Sequence, residues 1–362
     1  MFKKISLLFV AAIIFNSCSS GEEGGVEVKD NFDRKIMLTN IADNIITPSY
    51  DEFASKMKSL KSIGDTFINN PTQTTLEDLR VAWLEAYKKW QYIEMYNIGK
   101  AEEIQYSFYM NVYPLTVADV ESNISSGSYD LNSANNHDAQ GFPALDYLLY
   151  GVGDNDNEIL AKFTTATNND KYKKYLTDVL NQMNNLTKDV VAKFKANRNT
   201  FVNNLERTSS GTFNKIINDY VFFFEKGVRT NKFGIPAGIF STNPLPEKVE
   251  AVYKKDVSKT LALEALTAVE NLFNGNGSIS FKDYLLALDR RDLATKIEAQ
   301  FATAKIKINS LNTDFSAQII SDNSKMLNAY DELQKAIILL KVDMMQTFNI
   351  PLDDGYVDND GD

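Results

Sequence analysis

The chain has 362 residues, 44% of them hydrophobic and 24% charged, enough for two domains with substantial cores. Gly and Pro are sparse, 17 and 8, which excludes an all-β protein with frequent tight turns, and acidic residues outnumber basic ones 48 to 38, which argues against a nucleic-acid binder. A single Cys excludes an internal disulfide, and a single His excludes a metal site of several imidazoles and makes any Ser–His–Asp enzyme depend on His137.

The N-terminus carries Lys3 and Lys4, then a continuous apolar run from Leu7 to Phe15, too short to span a bilayer as a retained helix. It ends in Phe15-Asn16-Ser17-Cys18, which resembles a bacterial lipobox, with Phe15 and Asn16 departing from the usual pattern. Residues 1–17 are therefore expected to be a lipoprotein signal peptide and Cys18 the lipidated residue, with a membrane as partner through the anchor. The Ser/Gly/Glu-rich stretch after Cys18 makes 18–32 a flexible tether, and its acidic residues resemble the export signals of some outer-membrane lipoproteins. An outer-membrane location, facing periplasm or cell surface, is the expectation.

The rest reads as helices. Short ones are predicted at 33–46 and 50–69. Leu79, Trp83, Ala86, Trp90 and Ile93 then form an apolar stripe at spacings of three and four, with a cap predicted at Thr75 and Asp78. A longer stripe runs from Tyr172 through Leu176, Val179, Met183 and Val190 to Phe201 and Leu205. Further helices are predicted at 212–226, 247–273 and 289–311, and a last long one over 315–348, stopped by Pro351. Breaks fall at 125–140, 151–157, 207–211, 227–246 and 274–280. The fold class is all-α: two helical-bundle domains, 33–206 and 207–350, with a site at their interface and an acidic tail over 351–362. That tail, ending Asp358-Asn359-Asp360-Gly361-Asp362, lacks the distal Glu of a calcium loop and reads as solvated.

Candidate chemistry begins at 141–151, GFPALDYLLYG. Gly141 and Gly151 bracket a short apolar helix, Pro143 suits its first turn, and Asp146 stands beside Tyr147, Leu148 and Leu149. This segment resembles a signature of the imelysin-like family, as do Lys232 to Phe240 (KFGIPAGIF), Ser258 to Leu266 (SKTLALEAL) and Trp83 to Glu94. The four lie in family order across 35–350. The resemblance implies two helical domains with a site where they meet. It also implies relatives of two kinds: an insulin-cleaving metalloprotease, and periplasmic or outer-membrane proteins linked to iron uptake.

The family's proposed metal motif is Gly-x-His-x-x-Glu. Here Gly141 is kept, but Pro143 stands at the His position and Asp146 at the Glu position. Proline offers no ligand, which speaks against a zinc peptidase. Any metal is expected to be iron or calcium, held by oxygens, with Asp146 and Glu94 as the only candidate ligands. The remaining candidates for an interdomain site are Trp83, Trp90, Tyr113, Phe142, Arg229, Gly234, Gly238 and Glu264. Arg229 and Lys232 beside the Gly234–Gly238 loop are candidate anion binders. The expected function is a lipid-anchored, non-catalytic ligand- or metal-binding protein of iron or haem uptake, with an outer-membrane receptor as implied partner. A metallopeptidase and a structural or adaptor lipoprotein stand as alternatives.

Overall fold

Apolar residues recurring every three or four positions can be buried together only on a helix, and helices account for the architecture. The computed structural model describes residues 31–353. The expected signal peptide, Cys18, the expected tether up to residue 30 and the tail from residue 354 lie outside the described residues. Among the described residues there is no strand, so the chain is all-α as its stripes require.

Nine of the helices among the described residues build the core or carry candidate residues: α1 (Thr47–Asn69), α2 (Gln73–Trp90), α3 (Tyr106–Met110), α4 (Gly141–Asp146), α5 (Asn169–Asn203), α6 (Thr212–Phe222), α7 (Ser258–Asn274), α8 (Arg291–Asn309) and α9 (Phe315–Ile337). α1 packs against both α2 and α5. Phe53, Met57, Leu60 and Phe67 of α1 are buried there with Leu79, Trp83, Ala86 and Trp90 of α2 and Leu176, Val179, Met183 and Val190 of α5. Each large apolar side chain so buried contributes about 1.5–3 kcal/mol. α7, α8 and α9 form the second layer of packing, and α7 also touches α2. The described residues belong to one compact unit.

Several boundaries differ from the sequence expectation. The cap of α2 is Thr72, which sits in extended backbone after Pro71 and exchanges side-chain hydrogen bonds with Thr75. α5 ends at Asn203, so Leu205 leaves the stripe and is exposed. The helix expected from 247 starts only at Ser258, because Ala251 and Lys255 both take positive φ, which a helix cannot contain. The break expected at 227–246 begins late. α6 runs on without interruption into a π-helix, Phe223–Gly234, and the chain turns only at Gly238, with φ +83°. α9 is kinked at Asp322 and continues as a π-helix, Ile338–Met344.

Candidate functional site

α2 ends at Trp90, and the turn after it is held by the Glu94 N–H donating to the Trp90 carbonyl at 3.0 Å. Glu94 thus hangs one turn beyond a tryptophan locked in the core. From there the chain reaches α3 and the cis Tyr113–Pro114 bond. The π-helix Phe223–Gly234 faces this stretch. Together they enclose a cleft of about 630 Å³. Glu94, Gln105, Phe108, Asn111 and Tyr113 line one wall, and Asp219, Phe222, Phe223, Lys226 and Asn231 the other. The walls come from opposite sides, in sequence, of the 207–211 loop.

The π-helix divides its side chains between two environments. Phe223, Lys226, Gly227 and Asn231 face the cleft. Glu225 and Arg229 turn inward to α9 and the helix after it. There Arg229 donates to the Tyr330 hydroxyl (3.1 Å) and the Gln334 side chain, and Lys341 bonds both oxygens of Glu225. π-Helical turns are uncommon and frequently mark functional sites.

Beneath the cleft lies a buried polar network. Lys232 and Glu250, each 2% exposed, form an ion pair. The other oxygen of Glu250 accepts from Asn111 Nδ2 (3.1 Å) and Gln91 Nε2 (3.3 Å), and the Tyr87 hydroxyl donates to Asn111 Oδ1 (2.5 Å). Glu250 is fully engaged; Glu94 is not. Its Oε2 is shielded from solvent with no hydrogen-bond partner, and so is Trp90 Nε1. Burial raises the Glu94 carboxyl to about 7; Lys232 opposes the shift, Glu250 adds to it, and the nearby Asn111 amide and Trp90 indole oppose it weakly, from outside hydrogen-bond geometry to Oε2. Tyr113 is pushed well above the usual phenol range by burial, with Glu250 and Glu94 adding.

The structure gathers only some of the expected residues here. Glu94 and Tyr113 share the cleft. Asp146, 1% exposed, does not line it: its two oxygens accept the backbone N–H groups of Tyr253 and Lys254, each at 2.9 Å. Burial raises its carboxyl to about 7, against the pull of those two N–H groups and Lys254. Asp146 thus ties α4 to the turn that replaces the expected helix start. Gly141, with φ +72°, lets α4 lie directly on the Met110 carbonyl. Phe142 stacks on Tyr87 at 4.4 Å, and its carbonyl accepts the Trp83 indole N–H at 3.2 Å. These aromatic residues are core.

Arg229 and Lys232 are spent on Glu225, Tyr330, Gln334 and Glu250, so they form no anion site. Gly234 packs under Phe240 and Tyr330, and Gly238 against the Asn243 carbonyl. Glu264 accepts from the Tyr92 hydroxyl at 2.6 Å. His137 stacks on Phe108, and burial lowers its pKa. Pro143 is buried in α4. Among the described residues no group of three or more His, Cys, Asp or Glu is placed to hold a metal ion. With Asp146 turned to backbone donors, the residues at this motif do not fit a catalytic metal, and the expected Asp146–Glu94 ligand set is not formed.

Glu250, Asn111 and Asp219 were not singled out in the sequence. Asp219 had a visible signal, an acid inside the apolar run IINDYVFFF. Glu250 had none, because the segment carrying it looks like ordinary amphipathic helix.

A family model described as Imelysin matches residues 46–340. Among solved structures, the chain is similar to an imelysin-like protein from Psychrobacter arcticum 273-4, at 18% identity and a TM-score of 0.70, covering 90% of this chain and 99% of that one. It is also similar to a candidate iron-regulated protein A precursor from Parabacteroides distasonis ATCC 8503, at 17% identity and a TM-score of 0.72, covering 87% and 95%. At these identities the likeness speaks for the fold. No curated protein matches the chain.

Proposed function

Because this chain belongs to the imelysin family, we propose that it is a non-catalytic binding protein, held at a membrane through Cys18, which takes a polar ligand into the cleft above Lys232 and Glu250. The carrying observation is Glu94: a carboxylate oxygen withdrawn from solvent at an accessible cleft and without a hydrogen bond, while both oxygens of Glu250 beneath it are bonded. An unsatisfied buried acceptor costs about 1–3 kcal/mol, which a bound donor recovers. We read the walls of the cleft as belonging to two domains divided at 207–211. A place in iron or haem acquisition is part of the proposal, supported by the family resemblance and by the iron-regulated protein A precursor that shares the fold.

A peptidase is the weaker reading. Pro143 offers no ligand, and Asp146 is buried away from the cleft with its oxygens held by two backbone N–H groups, so the motif presents no open group to activate water.

The test is native mass spectrometry and elemental analysis of protein purified from its own host, with and without iron limitation. The expected result is an adduct that is absent from a Ser107→Trp variant, whose indole fills the cleft; Ser107 is an exposed lining residue. Insulin should not be cleaved above background. Chelator-sensitive cleavage abolished by Asp146→Ala would reverse the assignment in favour of the peptidase.

Anchoring is tested separately. Cys18→Ser is expected to move the protein from the outer-membrane fraction to the soluble fraction. Continued sedimentation of the variant with membranes would remove the lipid anchor from the proposal. Among the described residues no helix is long and apolar enough to cross a membrane.

A further inference from the structure

The geometry points to an organic cation as the ligand of the cleft: an ammonium or guanidinium group set against Glu94, carried on an apolar body that lies along Phe108, Val112, Phe222 and Phe223. This deepens the binding function proposed for the cleft and rests on it.

Charge comes first. Three carboxylates line the cleft, Glu94, Glu102 and Asp219, against one cation, Lys226. Lys215 spans Glu102 and Asp219, at 3.0 and 3.7 Å, and offsets part of that charge at the rim. Deeper in, Lys232 is taken up by Glu250, so the nearest buried cation makes no hydrogen bond to Glu94. Once Glu94 is ionised, the cleft carries a small excess of acid, which favours cations over anions.

The lining decides between a bare ion and an organic one. A metal ion needs several oxygen ligands at short range, and no three acidic side chains are grouped for it among the described residues. The cleft offers aromatic side chains instead. Phe108 is 46% exposed and Phe222 37%, and Phe223 and Tyr113 line the walls with them. Aromatic faces attract ammonium and guanidinium groups, more strongly where water is excluded. An exposed phenylalanine on each wall gives an apolar body a place to lie.

A neutral polyol fits less well. The amide side chains of Asn97, Gln105 and Asn231 would suit it, and a hydroxyl could donate to Glu94, but a neutral ligand brings no counter-charge to the ionised carboxylate. A cation supplies it. It also displaces the proton that burial retains on Glu94. The ionisable groups around Glu94 are Lys232 and Glu250 beneath it, Tyr87 and Tyr113 beside it, and Glu102, Asp219 and Lys226 around the rim. The two tyrosines stay protonated in the neutral range, and Lys232 is already paired, so proton release near pH 7 reports on Glu94.

The experiment is calorimetry on the full chain with phenethylammonium and agmatine, and with phenethyl alcohol as the uncharged match. Both cations are expected to bind at millimolar concentration or below, the ammonium at least tenfold tighter than the alcohol. Binding near pH 7 is expected to release a proton, read from the buffer dependence of the heat. Glu94→Gln should erase the difference between ammonium and alcohol and abolish the proton release. That variant keeps the shape of the side chain, and a melting curve equal to or above wild type above pH 7 shows that it is folded. Ser107→Trp should bind neither probe. Equal affinity for ammonium and alcohol, undiminished cation binding by Glu94→Gln, or no cation binding each overturns the inference. A neutral or anionic host ligand lost in Ser107→Trp overturns it too, while leaving the binding function intact; absence of any cleft ligand removes both.

Discussion

Gly141→Ala is expected to destabilise the protein by more than about 3 kcal/mol, and to do so at the wall of the cleft rather than at its floor. Two effects add. The backbone at Gly141 has φ +72°, a conformation that costs an L-residue roughly 1–2 kcal/mol. A Cβ there would also run into the Met110 carbonyl group and come within 2.9 Å of the Tyr109 carbonyl oxygen. Both obstacles are backbone, which cannot swing aside as a side chain can. Relief requires α4 and α3 to separate, and α3 and the residues after it carry Phe108, Asn111 and Tyr113 into the cleft. Chemical denaturation with a parallel probe titration checks this. Loss of stability together with weakened binding is the expected pair of results, whereas a variant within about 1 kcal/mol of wild type, on the order of an ordinary surface substitution, would show that the close approach is dispensable.

Breaking the Lys232–Glu250 pair is expected to cost about 3–5 kcal/mol from either side, with Lys232→Met the more damaging. Both side chains are 2% exposed. Glu250→Ala leaves a buried ammonium, but Glu94 is close enough for the two charges to interact, so part of the loss is recovered. Lys232→Met leaves Glu94 and Glu250 facing each other with no cation between them, and their mutual repulsion is added to desolvation. The double variant Lys232→Met/Glu250→Leu should lose far less than the sum of the singles, because a buried ion pair replaced by apolar residues of similar size is often close to neutral. Urea melts of the four proteins measure the coupling; simple additivity would mean that the pair contributes nothing as a pair.

Electrostatics beside the cleft also sets a pH dependence. The Glu94 carboxyl holds its proton in the folded protein up to about pH 7, above its ordinary value of 4.5. The folded state therefore binds more protons than the unfolded state between those values. Stability from this group falls as pH rises through that window. The raised Asp146 carboxyl acts with the same sign, its window opening from its ordinary value of 3.8.

The class of fold and the family were legible in the amino-acid sequence alone. Stripes such as Tyr172, Leu176, Val179, Met183 and Val190 can be buried together only on a helix, so the helical core was readable wherever the spacing persisted. Glu94 and Tyr113 were legible as site candidates because an acid on an apolar stripe and a tyrosine at a helix break are local signals. The fate of the other candidates depended on long-range packing. Asp146 looks equivalent to Glu94 in sequence, an acid among apolar residues. Yet one accepts two N–H groups from Tyr253 and Lys254, more than a hundred residues away, and the other has an oxygen with no donor. No local pattern encodes that difference, because it depends on which distant backbone arrives. The same holds for Arg229 and Lys232. Their spacing suggested an open anion site, but the π-helix turns Arg229 toward α9 and Lys232 toward Glu250, in a segment that periodicity assigns to a plain helix. Hydrophobic spacing fixes which face of a helix is buried, whereas the pairing of buried charges is settled only when the helices meet.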